Sequence, residues 1–516
     1  PDPRQITGTG VDRRPQGETG LNIVITTGVV TEMRTIASGE RVREGGNIEP
    51  TERVNHPLHA HVLERSPIEP TDAEDIEEEA QRSDLLRRSE LDRYLFFLGR
   101  HPGRRVDASV GAAMDVGAVS LDYLVTENRP LVLYAQFANT GTSSTDYWRQ
   151  RFGLLHTQLT NNDDILSLDY TMANFEDVHT VTMSYEAPFP NRRVRWRVLG
   201  LFNQYNAEEL GLTLDNFDGT TWAALGEVAW NFHQDRELFL DLVGGLRFER
   251  VEVERRIFGN ILLTDAEEDF LYPYIGLRLD RTSGWYSTRG SLTLEYQNGE
   301  LTNVDEGSLP EFGRTAPDDE WVVLRLNAQH SFYLEPWIDR EAWADPSTPE
   351  SSTLAHEIRL AVRGQYAFDQ RLIPQQQQVI GGMNSVRGYP ESVVAGDSAL
   401  VGTLEYRYHV PKAFAVEPEP DQLFGQPFRT APQFVYGTPD WDLILKGFVD
   451  VGGAWNSDPF SFEEDETLVG AGVGVEFLFR RNLTIRADWG FVLNELDRAN
   501  VNDGSNRLHF VATILF

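Results

Sequence analysis

The sequence predicts one small α+β domain over residues 20–130, followed by an all-β membrane barrel of about sixteen antiparallel strands over 131–516. Three observations predict it. From Leu131 onward apolar and polar residues alternate in long segments, separated by loops rich in Asn, Asp, Gly and Pro. The segments number about sixteen, an even count within the range of closed membrane barrels. The last segment has an all-apolar face and ends on an aromatic, Phe516.

Composition narrows the function classes. The chain has 516 residues, and no cysteine to form disulfides or thiolate metal sites. Its net charge of -34 argues against a nucleic-acid partner and reads as an acidic solvated surface. No stretch approaches the roughly 20 consecutive apolar residues of a helical span. The mean hydropathy of -0.38 is compatible with a membrane barrel, where only alternate residues face lipid. The start, PDPRQ, has no basic and apolar signal segment. An exported chain would then be numbered from a cleavage point or from a truncation.

Residues 1–19 read as a polar linker or truncated arm. Leu21, Ile23 and Ile25 alternate, Gly28 turns the chain, and Val30 to Ile36 is again extended. Residues 53–65 suit one short helix, and Asp72 to Glu79 an acidic, solvated insert. Leu85, Leu86, Leu91, Leu95 and Leu98 recur at helical spacing. Arg105 to Val110 and Ala118 to Val125 complete the α+β domain as strands. The barrel segments begin near 131, 147, 164, 178, 193, 221, 237, 269, 284, 320 and 354. After a long loop over 369–398, five more begin near 399, 442, 468, 483 and 507.

The last segments bear on whether the barrel is a membrane one. In 483–494 Leu483, Ile485, Ala487, Trp489, Phe491 and Leu493 share one face, while Thr484, Arg486, Asp488 and Asn494 share the other. In 468–479 an apolar face opposes Gly470, Gly472, Gly474 and Glu476, and in 399–410 one opposes Thr403, Glu405, Arg407 and His409. A soluble sandwich turns such an apolar face inward. A membrane barrel turns it to lipid and puts the charges in the lumen. Periodicity alone fits both; strand length, strand number and aromatic ends favour the membrane.

Four stretches resemble the superfamily of polypeptide-transporting barrels that carry periplasmic POTRA domains. They are Leu98-Gly99-Arg100-His101-Pro102-Gly103-Arg104-Arg105-Val106; Arg129-Pro130 through Asn139-Thr140-Gly141-Thr142 and Thr145; Val386-Arg387-Gly388-Tyr389; and Gly447-Phe448-Val449-Asp450-Val451-Gly452. Within that superfamily the chain most resembles the two-partner-secretion transporters (TpsB), the hemolysin and filamentous-hemagglutinin exporters. The resemblance runs from residue 20 to 516, with about eleven strands before the Val-Arg-Gly-Tyr loop and five after it. Such transporters usually have two POTRA domains and an N-terminal plug helix; this sequence has room for one POTRA, and residues 1–20 are too polar for a plug.

The resemblance implies export of a secreted client polypeptide across a bacterial outer membrane, with the POTRA domain in the periplasm and the loop folded into the lumen. It also implies barrel-assembly machinery as a partner during biogenesis, outer-membrane lipid around the wall, and room for further envelope proteins. Alternative readings are an outer-membrane assembly and insertion factor, a structural barrel of a larger envelope complex, and a passive porin.

Arg387 is the sharpest candidate residue, because a guanidinium is permanently charged and forks onto carboxylates. Strand alternation puts Phe448, Asp450 and Gly452 on one face and makes Asp450 lumenal. The resemblance pairs Asp450 with Arg387, and Glu476 and Asp488 are further lumen-side carboxylates able to share the contact. Gly388 suits a tight tip, and Tyr389 packs and hydrogen-bonds at once. The competing reading is an exposed Arg-Gly turn. Phe510, Ile514 and Phe516 form an aromatic-ended strand of the kind assembly machinery recognises; an aromatic at a lipid–water boundary explains them equally.

His56, His59 and His61 read as a surface helix rather than a metal site. The acidic run lacks calcium-loop geometry, Gly381-Gly382 lacks a phosphate-loop context, and no nucleophile elbow is present. No catalytic residues, metal or cofactor are expected, and the protein is not expected to be an enzyme.

Overall fold

The computed structural model describes residues 28–43, 50–70, 85–113, 118–174, 178–190, 192–210, 215–257, 261–302, 304, 306–338, 354–434, 436–480 and 482–516. The arm 1–19, the Leu21 to Ile25 run and the acidic run 72–79 lie outside them. The chain divides into two compact units at Pro130/Leu131.

The N-terminal unit is a three-stranded sheet of β1 (Val29–Gly39), β2 (Arg104–Ala112) and β3 (Ala118–Glu127), with β3 in the middle. β1 runs parallel to β3 and β2 antiparallel to it. A parallel pair needs a long crossover, and among the described residues it holds the helical turn Glu40–Arg43 and the helices α1 (Ala60–Glu64) and α2 (Arg88–Gly99) before β2. Leu91, Tyr94 and Leu98, three and four residues apart, bury one face of α2 in a core with Val30, Val106, Leu121 and Val125. The Tyr94 hydroxyl donates to Val62 O at 2.7 Å, so its buried polar end is satisfied.

The two sheet edges differ. β1 is bridged at Val29 by Leu85 and at Ile36 by Val54. Among the described residues no strand pairs with the outer edge of β2, whose Val110 is 46 % exposed.

Histidine placement corrects one expectation. Residues 53–65 hold a 3-10 turn, Pro57–His59, and the one-turn α1 rather than a surface helix. His56 Nδ1 caps the turn by accepting from Leu58 N at 3.3 Å. His59 is fully buried, because its Nε2 donates to Glu127 at 3.2 Å. Arg41 and Arg104 close on the same carboxylate, Arg104 Nε at 2.7 Å. No group of His, Cys, Asp and Glu among the described residues is arranged to hold a metal.

Burial raises the pKa of Glu127, but the His59 hydrogen bond and the charges of Arg104 and Arg41 outweigh it and hold the carboxyl well below its usual range. A carboxyl lowered on folding stabilises fully above its unfolded pKa of about 4.3, and that stability fades as pH falls toward the folded value. The N-terminal unit should therefore lose thermal stability steadily below about pH 4.3. Glu127→Gln should lower the melting temperature at pH 7 and flatten this acid slope. Equal slopes for both proteins in calorimetry of the unit would count against the cluster as its source.

The second unit is a closed barrel of sixteen antiparallel strands, in accord with the sequence. They are β4 (Leu131–Ala138), β5 (Arg149–His156), β6 (Ile165–Ala173), β7 (Val178–Pro188) and β8 (Val194–Leu210). Then come β9 (Asp215–Asp235), β10 (Leu238–Ile257), β11 (Ile261–Thr282), β12 (Tyr286–Asn298) and β13 (Glu320–Tyr333). The last six are β14 (His356–Tyr366), β15 (Ser398–His409), β16 (Trp441–Trp455), β17 (Glu466–Phe479), β18 (Leu483–Val492) and β19 (Asn506–Leu515). Each strand pairs with its sequence neighbours, and the loops after even-numbered strands lie at the far end, away from where the chain leads into β4.

Burial separates the two faces. Trp222, Leu246, Ile275, Leu404, Val473 and Leu508 point outward and are exposed, while Glu405, Arg407, Asp450, Asp488 and His509 are buried inside. Apolar outside and charged inside is the membrane arrangement. No helix among the described residues is long and apolar enough to cross a membrane.

The barrel closes between β19 and β4 over the register Val511↔Ala138 to Leu515↔Tyr134. Phe516 N donates to Leu133 O at 2.8 Å, and Asn139 N to Phe510 O at 3.1 Å. The Asn139 side chain then bonds Phe510 N at 2.7 Å and Leu508 O at 2.8 Å, standing in for main-chain groups where the pairing stops.

Candidate functional site

The site lies where the long loop after β14, residues 367–397, turns into the lumen. Its stem is a short ladder pairing Gln378–Ile380 with Val394–Gly396. At the tip Gly381, Gly382 and Gly388 all have positive φ, and Gly388 at +102° suits the glycine there. The tip is knit to itself: Gly382 N donates to Val386 O at 3.1 Å, and Gly381 N to Ser385 Oγ at 3.0 Å. Val386 and Tyr389 are fully buried and Arg387 is 2 % exposed.

Arg387 meets three carboxylates. Its Nε and Nη2 fork onto Asp450 at 2.7 and 2.9 Å, and its own N–H reaches Asp450 Oδ2 at 3.1 Å. Nη1 bonds Glu405 at 2.8 Å and Asp488 at 3.0 Å. Phe448 lies beneath the guanidinium, 3.4 Å from Cζ to the ring centroid, a cation–π contact in a site sealed from water. Strand register builds this cradle, because Glu405 pairs with Phe448 and Asp450 with Gly470, so inward side chains of β15 to β17 stand side by side.

Three further cations surround the carboxylates. Arg407 bonds Glu405 at 2.9 Å and Glu476 at 3.0 Å, Lys446 lies 2.7 Å from Asp488, and Arg486 bonds Asp488 at 2.8 Å. Arg387, Arg407, Lys446 and Arg486 thus interleave with Glu405, Asp450, Glu476 and Asp488, and Arg407 also meets Glu357 at 3.0 Å. Pairing every buried charge with an opposite one is what a buried ionic cluster requires.

Bare backbone completes the seat. A Cβ at Gly470 would lie 2.1 Å from Arg387 O, and one at Gly490 2.5 Å from Gly388 N. The tip rests directly on β17 and β18, which only glycine permits. Gly452 is likewise covered by Val386. Gly388 N donates to His509 Nε2 at 3.2 Å, and the Tyr389 hydroxyl bonds Asn494 O and contacts Val469 at 3.2 Å.

The loop is held elsewhere too. Gln376 meets Arg325 on β13 at 3.2 Å and Glu249 on β10 at 3.3 Å. At the far end Arg314, from the loop after β12, binds Asp397, and Arg371 forks onto Glu463 from the loop after β16 at 2.7 and 2.7 Å. The loop therefore crosses the lumen with anchors on separated stretches of wall.

The structure brings together Arg387, Asp450, Asp488, Phe448 and Gly452 of the residues singled out in the sequence. It separates Glu476 from Arg387, because Arg407 stands between them and takes that carboxylate. Glu405, Arg407, Lys446 and Arg486 were not singled out as partners, although a charge alternating with apolar residues was their signal. Phe510 and Ile514 lie on the last strand and Phe516 directly follows it, Ile514 and Phe516 being exposed.

No family model matches the sequence, and no curated protein matches it. Solved structures do. CdiB from Escherichia coli is similar with a TM-score of 0.65 at 12 % identity, over 95 % of this chain and 77 % of that one. CdiB from Acinetobacter baumannii is similar with a TM-score of 0.60 at 15 % identity, over 95 % of this chain and 74 % of that one. At such identities the likeness is one of fold: nearly the whole chain, barrel included, follows the fold of the two CdiB structures.

Proposed function

We propose that this protein is an outer-membrane polypeptide transporter that exports a partner protein through the barrel, with the Val386-Arg387-Gly388-Tyr389 loop as its lid. The observation that carries this reading is the Arg387 cluster, which fixes a loop tip on the inner wall with a fork, two further ion pairs and a ring. A loop fastened across the lumen narrows the path and gives it a part that can move, as gated export requires. The fold shared with CdiB supports the same reading.

In this reading the N-terminal unit is a POTRA domain in the periplasm, and β2 is the edge that captures an extended client segment by main-chain hydrogen bonds. Client folding outside supplies the driving force. Phe510, Ile514 and Phe516 serve as the assembly signal for barrel insertion.

The test compares the culture medium and envelope of cells carrying the full chain with those of cells carrying a deletion of residues 20–130. The barrel closes its own hydrogen bonds and should still fold. Loss of one large polypeptide from the medium, with the envelope proteome unchanged, is the expected result. Unchanged secretion would refute the role of the domain. Loss of many unrelated barrels from the envelope would instead favour an assembly factor, a reading to which the short β19–β4 seam lends support.

A further inference from the structure

The wall beneath the loop tip presents a histidine. His509 lies on β19 and is fully buried. Its Nε2 accepts the Gly388 N–H at 3.2 Å. An accepting nitrogen carries no proton, so the ring is neutral and holds its proton on Nδ1. A flipped ring would set a carbon against the Gly388 N–H, so the hydrogen bond fixes the orientation. Nδ1 lies 3.5 Å from Glu391 Oε1, on the returning limb of the loop, and that oxygen also accepts from Met383 N at 2.7 Å. One ring therefore meets both limbs of the tip.

We propose that His509 is a proton-operated latch: the neutral ring holds the tip on the wall, and protonation of the ring releases it. This takes the tip to be the lid of the proposed exporter and deepens that reading with a regulator. A protonated ring donates from both nitrogens. Nε2–H would then face the Gly388 N–H, donor against donor, and leave that buried main-chain group without its acceptor.

The charged neighbours do not replace this acceptor. Asp488 stands opposite His509 on β18, where Arg387, Lys446 and Arg486 engage it. From the loop, Glu391 faces the proton that Nδ1 already carries, and Arg387 adjoins the bonded Gly388. Arg507 lies two residues along the same strand. From β4 the residues paired nearest are Ala138 and Asn139, and neither titrates. The seated tip thus binds one proton fewer at this ring than the released tip, so acid favours release. A free histidine titrates near pH 6.5 and carboxylates only near pH 4, so a step from pH 7.5 to 5.5 addresses histidine. His409, also buried in the lumen, is bonded instead to Asp442 and Glu357.

Planar-bilayer recordings of the full chain at pH 7.5 and 5.5 test the latch, with Arg387→Ala as the reference for an unseated tip. Wild-type openings should become about tenfold more frequent at pH 5.5, the ratio for a ring that titrates near 6.5 only when released. His509→Gln keeps an acceptor for the Gly388 N–H and takes no proton, so its openings should be equally rare at both pH values. Wild-type openings that ignore pH while Arg387→Ala opens, or a rise in His509→Gln equal to the wild type's, would overturn the proposal. A silent Arg387→Ala would tell against the lid reading instead. In that case, or if His509→Gln conducts at both pH values, hydrogen exchange of the amides of residues 381–391 decides the latch. Corrected for intrinsic rates, their protection in the wild type should fall about tenfold between pH 7.5 and 5.5 by the same linkage. Unchanged protection would overturn it.

Discussion

Arg387→Ala should unseat the loop tip and open the lumen while the barrel itself stays folded. The substitution leaves Asp450, Glu405 and Asp488 gathered without the cation that meets all three. Removing one partner of a buried ionic pair costs about 3–5 kcal/mol. At about 1.4 kcal/mol per factor of ten, the seated loop loses two to three orders of magnitude in occupancy. In planar bilayers the variant should conduct far more often than the wild type, and secretion of the client should fall. Arg387→Lys should rescue little, because one ammonium is unable to reproduce the fork onto Asp450 while also reaching Glu405 and Asp488. Heat-modifiable migration should be unchanged, since no ladder hydrogen bond is lost. A variant that stays as silent as the wild type in bilayers would show that the cluster does not hold the lumen closed.

Gly490→Ala should release the same tip without removing a charge. The new methyl would lie 2.5 Å from Gly388 N and 2.7 Å from Arg387 C, both main-chain atoms with no flexible end to give way. Overpacking of this kind costs about 1–3 kcal/mol, or roughly a ten- to hundredfold shift toward an unseated loop. The absence of cysteine from the chain makes a clean reporter available. Ser385→Cys places a thiol at a tip position that is 5 % exposed. Maleimide should label it slowly in the seated loop and about ten- to a hundredfold faster when Gly490→Ala is added, by the same overpacking cost. Equal labelling rates would mean that the wall, not the loop, yields to the methyl.

The two variants divide the seat into an electrostatic part and a steric part. They touch the same tip, so their effects should combine less than additively.

Period-two alternation is a local property, and it made the barrel legible. Outward apolar residues alternate with inward residues that are mostly polar or glycine, broken by an interior apolar cluster at Val251, Phe270, Trp321 and Val323, and lipid enforces the outward half of that alternation. The same arithmetic put Asp450 and Asp488 in the lumen. It also placed Glu405, Arg407 and Arg486 there, but it does not say which lumenal charge meets which. Pairing depends on the stagger between strands and on how deep the loop reaches, and both are set by contacts far apart in sequence. Glu476 shows the difference: it faces the lumen as its strand position requires, yet Arg407 claims it.

Glycines show the same division. Gly470, Gly472 and Gly474 stood out as a side-chain-free face on one strand, with no local reason for it. Their reason is the loop backbone and neighbouring side chains pressed against that face, a contact spanning about eighty residues. His59 read as a surface residue because helical spacing carries no information about Glu127, sixty-eight positions away. By itself the sequence determined the strand count and the inward face, because alternation is written residue by residue, and the resemblance of its Val-Arg-Gly-Tyr stretch pointed to the tip arginine. Only the tertiary structure decided the three-carboxylate cradle and the bare-backbone seat, because each arises where distant strands converge and bury charge or backbone against one another.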